Sequence, residues 1–124
     1  MTVVLRRGFT LIEMLVVTVI LGILVAIALP KVAATKNKAK LASVKSDLRN
    51  IIAAQEAYYS TYATYTTALP AKLFKPSAGN TVAHARSASS FTSTVTNSSI
   101  TTNPKKCVVT VGTTAKNSGL MVCS

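Results

Sequence analysis

The chain has 124 residues, enough for one compact domain, with 14 basic residues against three acids for a net charge of +11. Three acids and a single histidine, with no nucleophile motif, glycine-rich phosphate loop or paired carboxylates, leave no residues to carry catalysis. We therefore expect a non-enzyme with no cofactor and no metal, and the excess of positive charge favours polyanions as partners.

In chain order, Met1 to Arg7 is a short basic leader. From Phe9 to Leu29 there follow 21 residues interrupted by one charge, Glu13, and ended by Pro30. As an α-helix this stretch reaches about 32 Å, the thickness of a bilayer's hydrocarbon core. A lone carboxylate in such a span costs roughly 2.5–3.5 kcal/mol unless something pairs with it. An α-amino group made by cutting the chain before Phe9 would serve, because an ammonium in a low-dielectric setting neutralises a nearby acid. Gly22 and Pro30 are the helix-weakening residues of the span, and a kink or local melting is expected there.

Gly8-Phe9-Thr10-Leu11-Ile12-Glu13, with the apolar run behind it, resembles the processing and assembly segment of type IV pilins and their pseudopilin relatives. The resemblance implies a prepilin peptidase that cuts between Gly8 and Phe9 and methylates the new Phe9 amine. It also implies that Glu13 meets the Phe9 ammonium of a neighbouring subunit; the alternative within one chain pairs Phe9 and Glu13 as i,i+4 neighbours. It places the leader in the cytoplasm and the remainder outside, although Lys31, Lys36, Lys38 and Lys40 oppose that orientation by the positive-inside rule. In filaments of the resembling family the stretch between the residues matching Gly22 and Pro30 loses helical structure. Two rival readings exist for the N-terminus. Ala26-Ile27-Ala28 fits a signal-peptidase pattern with a mature start at Leu29, and Arg6-Arg7 resembles a twin-arginine signal; a charge inside the apolar region argues against the first.

After Pro30 the pattern becomes amphipathic. Leu41, Val44, Leu48, Ile51, Gln55, Tyr58 and Tyr62 recur at three- and four-residue steps and predict one buried helix face, while Lys36, Lys38, Lys40, Lys45 and Arg49 form a basic girdle. From Phe9 to about Tyr62 a single helix would be roughly 80 Å long. The expected organisation is a leader over 1–8, a membrane and filament-core helix over 9–30, an amphipathic helix half over 31–62 and a β head over 63–124.

In the head, Ala63 to Ser90 reads as a connecting loop. Three strands are expected, at Phe91–Val95, Cys107–Gly112 and Gly119–Cys123, the last two as a hairpin centred on Ala115. That register puts Cys107, Val109, Val111, Met121 and Cys123 on one face, laid against the helix. The fold class is thus α+β, a long N-terminal helix packed by its second half on a small antiparallel sheet, as in type IV pilins. In an exported chain Cys107 and Cys123 are expected to form a disulfide, worth roughly 3 kcal/mol by loop closure. Asn97-Ser98-Ser99 matches an N-glycosylation sequon, which composition alone leaves open, and His84 reads as a surface or packing residue.

The resemblance implies a structural subunit that waits in the cytoplasmic membrane and polymerises with copies of itself, through pilus assembly machinery, into a retractable cell-surface filament. Such filaments serve twitching motility, adhesion and DNA uptake. One alternative is a minor pilin that binds DNA through Lys72, Lys75, Arg86, Lys105, Lys106 and Lys116. Another is a pseudopilin of a type II secretion system, a group that often lacks the C-terminal disulfide.

Overall fold

The computed structural model describes residues 8–87, 89–112 and 118–124. They fall into two compact units, 1–35 and 36–124, within which the elements are one helix, α1 (Leu11–Tyr62), and four strands, β1 (Asn80–Arg86), β2 (Ser90–Asn97), β3 (Lys106–Gly112) and β4 (Met121–Cys123).

In the first unit every residue from Gly8 onward is exposed. Helix α1 continues through Gly22 and Pro30, so the local melting expected there is absent from the isolated chain. A proline in a helix interior costs about 3 kcal/mol, but helix propagation is cheap once nucleated, and long helical runs flank Pro30 on both sides. The hydroxyl of Thr18, inside the apolar span, is satisfied by donating to Leu15 O at 2.9 Å.

In the second unit the helix buries Val44, Asp47, Leu48, Ile51, Ala54 and Gln55, a stripe of three- and four-residue steps that matches the expected face through its middle. Tyr62 departs from expectation. It is 62 % exposed and stacks on the half-buried Tyr58 at 4.5 Å between ring centroids. The helix ends beside it, where Ala63 adopts φ 52° and donates its N–H to Tyr59 O at 2.7 Å. The chain then reverses and lays Tyr65 on Phe91 at 4.9 Å, filling the core position that the spacing had assigned to Tyr62.

The four strands form one antiparallel meander in the order β1-β2-β3-β4. Strict alternation on β2 turns Phe91, Ser93, Val95 and Asn97 inward, and the register aligns them with Val82 and His84 on β1 and with Cys107, Val109 and Val111 on β3. The core is the contact of this face with Val44, Leu48 and Ile51, joined by Tyr65 and Ile100. The α+β layout is that of the type IV pilin fold. Strand β1 corrects the expectation of a loop through Ser90. Its inward positions are Asn80, Val82, His84 and Arg86, so it carries almost no apolar alternation, and as an edge strand it needs little. The hairpin register holds, with Cys107 opposite Cys123 and Val109 opposite Met121. Strand β4 starts later than expected because Gly119, at φ 79°, belongs to the turn. The centre of that turn, Ala115, lies outside the described residues.

Asp47 is the buried charge that the apolar spacing passed over. Its Oδ2 accepts from Ser77 N at 2.9 Å and Asn80 Nδ2 at 2.7 Å, and its Oδ1 accepts from Ser77 Oγ at 2.7 Å. Asn97 Nδ2 donates to Asn80 Oδ1 at 2.7 Å, and Ser99 N donates to Asn97 Oδ1 at 3.0 Å. One carboxylate thus ties the helix to the connection before β1, to β1 itself and, through two asparagines, to the end of β2. The same chain of bonds consumes the sequon: Asn97 is 3 % exposed and its amide is occupied. Gln55 plays a parallel part further along the helix, accepting from Thr66 N at 3.1 Å and donating to Thr66 O at 2.6 Å.

Replacing Asp47 by Ala removes the acceptor shared by Ser77 N, Ser77 Oγ and Asn80 Nδ2, a loss of about 1.5–3 kcal/mol because the lost bonds were made to a charged group. The midpoint of urea unfolding should fall accordingly, whereas Lys45→Ala on the exposed face should leave it within about 0.5 kcal/mol of wild type.

Candidate functional site

The start of α1 is built by four residues. Gly8, Phe9 and Thr10 are not helical, and the helix begins at Leu11. The carbonyl of Thr10 accepts the first intrahelical bond, from Met14 N at 3.3 Å, which makes Thr10 the N-cap. Thr10 Oγ1 accepts from Glu13 N at 3.3 Å, while the Glu13 carboxylate accepts in return from Thr10 N at 3.5 Å and Thr10 Oγ1 at 3.4 Å. This is a capping box: two otherwise unpaired backbone donors are satisfied reciprocally. The carboxylate also sits at the positive end of the helix dipole.

Glu13 is therefore engaged within its own chain before any cut is made. Phe9 is 72 % exposed and precedes the helix. Thr10 was absent from the residues singled out by sequence. The signal was present, since Thr-x-x-Glu directly before an apolar run is the sequence form of a capping box.

In the head the Cys107–Cys123 disulfide joins β3 to β4 at the hairpin's open end. The cationic candidates do not converge. Lys105 and Lys106 are exposed at the start of β3, where their backbone N–H groups donate to Ser124 O at 3.1 and 3.2 Å. Arg86 ends β1, which runs parallel to β3 two strands away, so it lies at the opposite end of the sheet, with Nη1 3.4 Å from Thr64 Oγ1. Lys72 and Lys75 are exposed on the connection before β1, and Lys75 edges an open hollow of about 390 Å³ with Leu73, Phe74 and helix residues Asn50 to Ala57. Lys116 lies outside the described residues. Along the helix Lys40 is drawn to the head, donating to Ser99 O at 2.8 Å, while Lys36, Lys38, Lys45 and Arg49 are exposed.

Among the described residues two side chains are shifted from their ordinary ranges. Burial lowers the His84 imidazole, whose Nδ1 lies 2.8 Å from the hydroxyl of the fully buried Ser93. Burial raises the Tyr65 hydroxyl, and the Glu56 carboxylate, to which it donates at 3.2 Å, adds to the shift.

Residues 5–29 match the family described as the prokaryotic N-terminal methylation motif. Beyond that motif, the chain is similar over part of its length to pilins and pseudopilins. It is 36 % identical over 75 residues to the type IV major pilin protein PilA of Myxococcus xanthus, covering 60 % of this chain and 34 % of that protein. It is 47 % identical over 53 residues to the type II secretion system core protein G of Pseudomonas aeruginosa, covering 43 % of this chain and 37 % of that one. It is also 40 % identical over 75 residues to the core protein G of Klebsiella michiganensis, covering 58 % and 53 %. The matched part of this pilin-like chain thus spans from about a third to about half the length of those curated relatives. No solved structure matches it.

Because the folded state holds His84 below its ordinary value of 6.5, the unfolded chain takes up the proton first as pH falls. The contribution of neutral His84 is present above about pH 6.5 and is lost as pH falls through the lowered folded value. Thermal midpoints of the disulfide-intact protein should decline across that window, and His84→Gln should flatten the decline.

Proposed function

We propose that this chain is a precursor processed between Gly8 and Phe9, anchored in the cytoplasmic membrane by the apolar part of α1, and assembled with copies of itself into a helical filament. The observation that carries this reading is the exposure of every residue from Gly8 to Lys36, including the whole apolar stretch. A surface of that size is stable only in lipid or against other copies of itself. Before assembly the bilayer covers it; afterwards the helices of neighbouring subunits do. Contacts that repeat head to tail without closing into a ring generate a fibre.

Glu13 supplies the assembly rule. Cleavage creates an ammonium at Phe9, and pairing it with Glu13 of a neighbour compensates a charge that lipid alone does not. Prepilin peptidase, the membrane and the assembly machinery are the partners this reading requires. Between the two kinds of filament, we assign the chain to a type IV pilus at the cell surface, serving motility, adhesion or DNA uptake, because its head is closed by the Cys107–Cys123 disulfide. Its identities to core protein G favour the second reading, a pseudopilin of a secretion system. Binding of DNA as a minor pilin gains no support from the scattered positions of Lys72, Lys75, Arg86, Lys105 and Lys106.

Sheared surface filaments should contain this chain with an N-methylated Phe9 at its terminus, read by mass spectrometry; a terminus at Leu29 would contradict the proposal. Glu13→Gln keeps the shape and the capping capacity of the side chain but removes its charge, and should yield processed, membrane-resident subunits with at least tenfold fewer filaments. Normal filament yield from that variant would remove the ion pair from the account.

A further inference from the structure

We propose that Thr10 is a positioning residue for processing: its capping box with Glu13 ends the helix just after the Gly8–Phe9 bond and holds that bond in non-helical backbone open to the peptidase. This rests on the processing reading above, and it concerns what makes the bond accessible, which that reading leaves unstated.

Helical backbone resists proteolysis because its N–H and C=O groups are already paired and enclosed by side chains, whereas a bound substrate must offer them to the enzyme. The distance between cut and helix here is small. The scissile bond joins the two residues that precede the N-cap, and helical geometry begins at Leu11. Four observations place the boundary there: the first intrahelical bond to Thr10 O, the two arms of the box, and the lack of helix at Gly8 to Thr10. Phe9 and Met14 occupy the positions of a hydrophobic staple, which fixes the direction in which the chain enters a helix. Around Gly8 the space is open, with nothing within 4 Å of where a Cβ would stand.

Without the cap, unpaired N–H groups at the head of an apolar helix find no water, and the least costly remedy is to propagate the helix backward through Phe9. The bond then becomes helical. The residues that mark the cleavage site thus also act as a helix start, and part of the peptidase's selectivity is selectivity for a capped helix.

The test uses the full-length precursor in proteoliposomes with prepilin peptidase, following cleavage over time for Thr10→Ser, Thr10→Val and Glu13→Gln, with hydrogen exchange at the Ile12 amide as a second readout. Serine and glutamine both form capping boxes, so those two variants should be cut within about twofold of wild type. Valine has threonine's shape without the acceptor; it should slow cleavage about fivefold, the equivalent of about 1 kcal/mol of capping, and should protect the Ile12 amide, which a helix extended back through Phe9 would bond to Gly8 O. Equal rates for valine and threonine, or slowed cleavage with unchanged exchange, would overturn the inference while leaving the processing reading intact. Failure of the wild-type precursor to be cut after Gly8 would instead overturn the processing reading. Formation of the Cys107–Cys123 disulfide on non-reducing gels confirms that each variant's head has folded.

Discussion

An apolar helix that its own chain leaves uncovered sets the terms for everything else in this protein. Fully burying a valine, leucine or isoleucine side chain is worth about 1.5–3 kcal/mol, and the stretch from Phe9 to Leu29 presents more than a dozen of them, each about half exposed or more. No head of this size could hide that surface and also keep a core of its own. The head instead packs its core on the helix only from Leu41 onward, builds its interior on Val44, Leu48 and Ile51, and leaves the apolar stretch uncovered.

Against that background the three acids are informative, because each has a defined set of donors. Glu13 caps the helix through Thr10, Asp47 gathers Ser77 and Asn80 beneath the sheet, and Glu56 accepts from the buried Tyr65. Basic residues are spread over the exposed surface and outnumber the acids by 14 to three. A chain so poor in carboxylates has little capacity for internal ion pairing, so its cations are available to whatever polyanion or neighbouring subunit approaches. Among the acids, Glu13 alone lies in the apolar stretch. A carboxylate there that exchanged a neutral capping bond for a charged one in a low dielectric would gain most where water is absent.

Much of this was legible in the residues themselves. The membrane-length helix, the amphipathic switch after Pro30, the α+β class and the β3–β4 register follow from hydropathy, three- and four-residue spacing and a two-residue alternation, all of which the structure keeps. Strand β1 escaped notice because its inward side chains include Asn80 and His84, which serve hydrogen bonds and give no apolar rhythm. Asp47 escaped because a charge on a buried face looks like an error in the pattern until its donors, 30 and 33 residues distant in sequence, are brought to it by the fold. Tyr62 was assigned to the core by a spacing that ran on past the point where the chain turns at Ala63. At the candidate site the motif was visible, but Glu13 was read for its charge alone, and its equally local partnership with Thr10 was passed over.

The central claim is that Glu13 changes partners, from the cap in the precursor to an amine of another subunit in the filament. Electron cryomicroscopy of filaments purified from the cell surface tests it most directly. The account predicts the Phe9 nitrogen of one subunit within about 4 Å of the Glu13 carboxylate of a neighbour, in a dry helical core. A filament in which Glu13 still faces only its own Thr10, with no amine beside it, would contradict the account.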